Sequence, residues 1–396
     1  MSNTIEFPGN ENGKKISRSE EYRHRSHELR LKLAIALAVV CVLLVLLYYK
    51  MEQSRVFSNI EKKNSIKFSS PLVSQTMAIE DNILTCSRDG ANCMDAQGNL
   101  LWNMTFEMQN PLCSVCKGTA AFADYGSGKI YIHAGNGSEA EINTTMPIRK
   151  IAVAENGVVA AVLEDVDITW IYIYDMNQTT IAYFRTSMQK SGYPLDIDIS
   201  PSGELVAVSY YFVDNSTTRS SVAFYNFGDV GQNNIDNYVS GFNYADVLVP
   251  EVCFMDDDSA YAISTSRFSM YEGAHKPVSV AESIISDDII SVYNNDKYVA
   301  VICRNKSGNT RYRLDLYGAQ GKLLTQNDFD FDFTGVALCR DGYALYGNSD
   351  IYIASDDGKK RYEGKYTTPI LKVVPTDSIA KYYFVTENTV DTVVFK

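Results

Sequence analysis

The alternation of apolar and polar positions divides this chain into three parts. From about residue 66 to the end, short runs of Val, Ile, Tyr, Phe and Thr alternate with clusters of Gly, Asp, Asn and Ser. Runs of that length and chemistry, bounded by turn formers, predict β-strands joined by hairpins. Residues 33–49, LAIALAVVCVLLVLLYY, follow a different rule: they are uncharged and have no polar face. At ~1.5 Å per residue a helix of seventeen residues reaches about 25 Å, the short end of what spans a bilayer core. Arg30 and Lys32 stop the run on one side and Lys50 on the other, with Tyr48 and Tyr49 where an interfacial aromatic belt would lie. The pattern therefore predicts a basic, disordered tail (1–32), a transmembrane helix (33–49), a polar linker with some helical character (50–65) and a strand-rich domain (66–396). No small-residue cleavage site follows the apolar run, so an uncleaved signal anchor is expected rather than a removed signal peptide.

Within the strand-rich part the runs recur in order: an apolar strand, a polar turn, a second apolar strand, then an aromatic-rich third. LDIDISPSGELVAVSYYF followed by SSVAFYNF is one instance, and ISVYNNDKYVAVICR followed by RYRLDLYGAQGKLLTQ is another. First strands begin near residues 113, 149, 195, 250, 289, 335 and 371, so six intervals cover 258 residues with a mean of 43. Four-stranded units at a period of ~40–50 residues are the mark of β-propeller blades. A single sheet cannot bury both faces, whereas radial stacking buries them and ring closure leaves few edges. The segment before Cys113 supplies a further unit, which makes eight blades, with seven the alternative if one irregular unit is miscounted. The last unit stops after three strands near Phe395, and residues 65–70 (SIKFSS) are the expected closing strand.

The repeat resembles the quinoprotein-like and WD40-like propellers. Asp95 and the following Ala96-Gln97-Gly98-Asn99-Leu100-Leu101-Trp102 match a D-x-x-G-x-x-x-W outer-strand pattern. Over residues 30–396 the layout is also similar to an uncharacterised clostridial family of single-pass, membrane-anchored propeller proteins. That resemblance implies a bacterial cell-surface location and no assigned activity.

Charge narrows the function. Residues 1–32 hold seven basic and five acidic side chains, and the remainder holds 29 basic and 43 acidic. An acidic domain repels phosphate backbones, which argues against nucleic-acid partners. The tail favours an inside amino terminus, although Lys50, Arg55, Lys62, Lys63 and Lys67 beyond the anchor reduce the bias. Long carboxy-terminal domains cross membranes largely regardless of charge, so the large domain is expected to be extracytoplasmic at the cell membrane.

Candidate chemistry is sparse. Seven cysteines lie beyond the anchor, an odd number that leaves at least one unpaired within the domain. If Asp89-Gly90 forms a two-residue turn, Cys86 lies opposite Cys93, with Cα atoms about 4.5–5.5 Å apart and within disulfide reach. That pair is a bridge, half of a zinc site or two thiols. Cys113 and Cys116 form a C-x-x-C on an expected inner strand one blade along. Two pairs, free or bridged, are the expected state of Cys86, Cys93, Cys113 and Cys116. A four-cysteine metal site and redox catalysis are the alternatives, and KGTAAFADYG after Cys116 does not favour the helix that a thioredoxin-type motif requires. Residues 327–333, NDFDFDF, read as an exposed strand with Phe inward and Asp outward, without the Gly and distal Glu of a calcium loop. Asp256, Asp257 and Asp258 read as a solvated turn. Only His133 and His275 lie in the large domain, and no G-x-S-x-G, Walker or G-x-G-x-x-G pattern occurs. No catalytic residue, cofactor or metal ion is expected.

The sequence thus predicts a membrane-anchored, extracytoplasmic propeller that acts as a non-enzymatic binding or scaffolding module for a protein or cell-envelope partner. The alternative is a cell-surface hydrolase or lyase with carboxylates at the propeller channel. Inward carboxylates with shifted pKa values beside a basic residue would favour the enzyme, and a broad apolar or aromatic patch on the top face would favour a protein partner.

Overall fold

A computed structural model describes residues 30–45, 51, 55–67, 74–166, 168–186, 191–214, 217–306 and 308–396. The chain divides into two compact units, residues 1–55 and 56–396. In the first, residues 30–45 are helical and every one of them is exposed, Leu33, Leu37 and Leu44 included. Among the described residues no helix is long and apolar enough to cross a membrane. The basic tail up to residue 29 and the end of the apolar run, 46–49, lie outside the described residues.

The second unit is an all-β ring of eight four-stranded antiparallel sheets. Blades 1 to 7 are residues 74–105, 111–143, 148–186, 193–245, 251–284, 288–329 and 333–365. Blade 8 takes three strands from the end of the chain, Lys372–Pro375, Lys381–Val385 and Thr389–Phe395, and its outermost strand, Ile60–Lys67, from the beginning. The eight-blade reading is correct, and the expected 43-residue period places each first strand within a few residues of its position. The closing strand begins at Ile60 rather than at 65, so it takes up the end of the expected linker, and residues 68–70 lie outside the described residues. The register sets this placement: Ile60 lies opposite Phe395 and Lys67 opposite Thr389, with one irregularity between Lys62 and Asn64.

A strand's place in its blade decides its pattern. First strands contact the first strands of neighbouring blades and so surround the axis. Second strands are packed on both faces: Ala120 to Ala123 and Val159 to Ala161 are all fully buried. They therefore read as continuous apolar runs. Outer strands such as Leu100–Thr105 and Thr180–Thr186 alternate between exposed and half-buried positions. The apolar core is split into slabs, one between each pair of neighbours. Leu84, Ala120 and Phe122 belong to the slab between blades 1 and 2, and Ile83, Val374 and Val390 to the slab between blades 8 and 1.

The D-x-x-G-x-x-x-W segment does two structural tasks. The Asp95 carboxylate accepts the backbone N–H groups of Gln97 (2.9 Å) and Asn99 (2.8 Å), fixing the turn before the outer strand. Trp102 on that strand stacks on His133 of blade 2, ring centroids 4.0 Å apart. Burial of His133 lowers its pKa, so the imidazole is a neutral packing surface at physiological pH.

Two local expectations need correction. The stretch 327–333 is not one exposed strand. The outer strand of blade 6 ends at Phe329, the first strand of blade 7 begins at Phe333, and Asp330 to Asp332 form the link. Phe329, Phe331 and Phe333 pack together there, while Arg311 ion-pairs with Asp330 (3.2 Å) and Asp332 (2.7 Å). In the hairpin after residue 82, the two turn residues are Arg88 and Asp89, and Gly90 opens the next strand. Cys86 consequently lies opposite Ala91, and Cys93 opposite Leu84. Position 90 takes glycine because a Cβ there would stand 2.3 Å from the Met104 carbonyl oxygen.

Candidate functional site

Two places gather side chains with chemistry to offer. The first is the channel wall across blades 3 to 6. Lys150 is ion-paired with Asp196. The other Asp196 oxygen accepts the Val252 N–H at 3.0 Å, and Asp198, two residues along the same strand, accepts the Phe254 N–H at 2.7 Å. Glu251 accepts the Tyr261 hydroxyl at 2.7 Å, and Asn294 donates to the Cys253 sulfur at 3.4 Å. Enclosure by protein pushes the Asp198 carboxyl up to about 7, against weaker lowering by backbone N–H groups of Phe254 and Ile199. Burial likewise raises Glu251, and burial with the nearby Asp198 charge takes Cys116 up to about 11.

Alternation along Tyr193–Ile199 puts Asp196 and Asp198 on one face of the first strand of blade 4. They meet Val252 and Phe254, likewise two residues apart, on the first strand of blade 5. The carboxylates thus occupy N–H groups on an edge that no strand covers. The Ser114 hydroxyl does the same for the Val153 N–H (3.0 Å) between blades 2 and 3. One mouth of the channel is formed by the turns after the first strands. Glu80, Asp81, Asp296, Lys297, Arg340 and Asp377 line a hollow of about 550 Å³ there. At the neighbouring turns Lys117 pairs with Glu155 (2.5 Å), and Asp257 accepts the Ser202 N–H (2.7 Å). Asp256 caps its own turn through Asp258 and Ser259, as expected of a solvated turn.

The second place is an aromatic groove of about 670 Å³ across the outer parts of blades 3 and 4. Trp170 and Tyr183 come from the last two strands of blade 3, where Trp170 pairs with Arg185 and Tyr172 with Tyr183. Tyr210, Tyr225 and Tyr238 come from blade 4. Phe184 stacks on Tyr225 with centroids 4.4 Å apart, and the Tyr210 and Tyr225 hydroxyls are hydrogen-bonded at 2.9 Å. These contacts fix the floor. The rim is open: Tyr183 is 60% exposed, Tyr238 47% and Ile235 88%. Ile235 is held out by a tight turn, Ile235–Asn237, whose last two residues both have left-handed backbone, φ 55° at Asp236 and 58° at Asn237. Neither is glycine, so the turn costs conformational energy to maintain.

The four cysteines named from the sequence are all free thiols, as are Cys253, Cys303 and Cys339. Cys86 and Cys93 do not oppose each other. Cys113 and Cys116 lie three apart on one strand and so face different slabs. Among the described residues no group of three or more His, Cys, Asp or Glu side chains is placed to hold a metal ion. Neither the channel carboxylates nor the groove was found from the sequence. Asp196 and Asp198 carried a signal, a D-x-D on a first strand, whereas the groove joins residues from two blades.

Comparison with known proteins agrees on architecture. The Dos1 propeller is similar at a TM-score of 0.54 and 10% identity, covering 85% of this chain and 95% of that one. Apo AztD from Citrobacter koseri is similar at 0.51 and 9%, covering 80% and 95%. BamB from Moraxella catarrhalis gives 0.49 and 13%, covering 86% and 98%. At such identities the first two likenesses speak for the propeller fold alone. None of the curated proteins matches the chain. A family model does match it, over residues 53–395, and the chain therefore belongs to DUF5711, a family of unknown function.

Proposed function

We propose that this chain is a membrane-anchored, extracytoplasmic propeller that binds a protein partner through the aromatic groove between blades 3 and 4. The observation that carries the reading is the groove itself. Trp170, Tyr183, Tyr225 and Tyr238 line it together with Arg185, with its floor fixed and its rim exposed. Trp, Tyr and Arg are the residues that dominate protein interfaces, because they bury large areas at low entropic cost and carry a polar tip. Anchoring is supported by residues 30–45, a helix apolar from Leu33 and exposed on every side. Such a surface has no stable place in water.

The test is cross-linking in intact membranes followed by capture of the full chain. Tyr183→Ala with Tyr238→Ala is expected to reduce the specific cross-linked partner at least tenfold and leave the folded ring unchanged by circular dichroism. An unchanged partner profile in the folded double variant would refute the groove, and recovery of only envelope polymer would refute a protein partner.

A second reading, a hydrolase or lyase acting in the channel, rests on Asp198 and Glu251 with raised pKa values near Lys150. It is the weaker one. The same carboxylates already accept hydrogen bonds from the Phe254 N–H and the Tyr261 hydroxyl, so each has a structural task. Turnover of a polysaccharide or peptide that disappears with Asp198→Asn would reverse this preference.

A further inference from the structure

We propose that a hollow between blades 1 and 2 is a binding site for a primary organic ammonium ion carried on an apolar body. The hollow, about 540 Å³, opens on the face of the ring that carries the turns after the first and third strands. Glu80 lies in the turn after the first strand of blade 1, Ser74–Ile79. His133 ends the third strand of blade 2, Lys129–His133, and Glu139 begins the fourth, Glu139–Asn143. Leu101 and Trp102 come from the outer strand of blade 1. The hollow shares no lining residue with the aromatic groove of blades 3 and 4.

Polar groups without partners give the hollow its character. His133 is buried, and its Nδ1 has no hydrogen-bond partner among the described residues. Register places His133 opposite Glu139, so the two side chains share a face, with Cβ atoms about 4.5–5.5 Å apart. Among the described residues neither the Glu80 nor the Glu139 carboxylate has an ion pair or a hydrogen bond. The neighbouring Lys117 is taken by Glu155 (2.5 Å), and no Lys or Arg among the described residues lines the hollow. The Cys93 thiol in the wall stays protonated, because burial first and the Glu80 and Asp95 charges next push it up to about 11. The negative charge of the site therefore comes from the two glutamates. Gly118 lets Glu80 lie close to blade 2, since a Cβ there would stand 3.1 Å from Glu80 Oε1 and 3.3 Å from Gly135 Cα.

These groups match an ammonium head. A –NH3+ group has three donors and no acceptor, against two carboxylates and one imidazole nitrogen. Burial keeps His133 neutral, so a proton on Nε2 leaves Nδ1 as an acceptor. The apolar body has its own wall in Ile79, Trp102 and Leu101, with Leu101 half exposed at the lip. An ammonium ion without such a body gains nothing from that wall. A carboxylate on the ligand would meet Glu80 and Glu139 and be repelled, which separates simple amines from amino acids.

The test is calorimetric titration of the full chain in detergent micelles with phenethylamine, against a blank of the same micelles. One saturable site is expected. 2-Phenylethanol, with the same body and no charge, and phenylalanine, with an added carboxylate, should each bind at least about tenfold more weakly. Glu80→Gln with Glu139→Gln should weaken phenethylamine by about tenfold or more. His133→Phe keeps a ring against Trp102 and removes Nδ1, and should weaken it about threefold. If either variant loses the fold by circular dichroism, Leu101→Ala takes its place. That change truncates an exposed side chain of the same wall and should weaken binding about threefold. No saturable binding up to roughly 10 mM, equal affinity for the alcohol or for phenylalanine, or unchanged affinity in the folded variants overturns the proposal.

Discussion

Asp198 shows how a side chain that looks catalytic can be structural. Its raised pKa, about 7, comes first from enclosure, and its partner is a backbone N–H of the next blade. The ionised form is therefore less favourable in the folded ring than in the unfolded chain. For an acid shifted upward, the stability contribution is complete below the ordinary carboxylate value of 3.8 and is lost as pH rises through about 7. Part of Asp198 opens to the channel, so solvent reduces the full effect, and we expect on the order of 2 kcal/mol. Asp198→Asn keeps an oxygen for the Phe254 N–H and removes the charge. Unfolding free energies from urea titrations at pH 5 and pH 8 should differ by most of that amount less in the variant than in the wild type. Equal pH slopes in the two proteins would show that the aspartate is solvated in the ring.

At the scale of elements the decisive contact is the closure of blade 8, where the two ends of the described ring meet. Phe395 is buried among Phe57, Tyr362 and Tyr382, with centroids 5.9, 4.8 and 5.4 Å away. Phe395→Ala should cost about 4 kcal/mol and expose the closing strand to protease first. Intact resistance between residues 60 and 67 in that variant would contradict the clasp. Asp391 holds the other end of the strand pair. Burial pushes its carboxyl up, but hydrogen bonds from Ser65 (2.5 Å), Tyr366 (2.6 Å), Thr389 and Lys62 (3.2 Å) outweigh it and keep the pKa below the ordinary value. The clasp is thus stabilised above pH 3.8 and loses that contribution as pH falls through the lowered pKa. The strands themselves were legible in the sequence because middle strands are apolar where both faces are packed, as at residues 159–163, and turns must carry Gly, Asn or Asp. The exact hairpin register at Cys86 was not. Choosing Arg88-Asp89 over Asp89-Gly90 puts Gly90 in the ladder opposite Thr105, on a strand outside the hairpin. The groove was illegible for a similar reason, since Trp170 and Tyr238 meet only after two blades stack.

For the whole molecule, the strongest unbalanced surface is the apolar helix that precedes the ring. Residues 33–49 have no charge to place in water, and residues 50–396 carry 29 basic against 43 acidic side chains. An acidic body is repelled by anionic lipid headgroups, so the proposed membrane anchoring rests on the helix. The two features make separable predictions. In a bacterial host the full chain should stay with the membrane after alkaline carbonate washing, and Leu37→Arg with Leu44→Arg should release it by placing two charges in the hydrocarbon core, at roughly 2.5–3.5 kcal/mol each. Protease added to intact spheroplasts should digest the ring and spare an epitope at the amino terminus, because the seven basic residues of the tail favour the inner side. Protection of the ring with loss of the epitope would invert the orientation while keeping the anchor. Recovery of the unaltered chain in the carbonate supernatant would remove the anchor altogether, and with it the case for an extracytoplasmic partner.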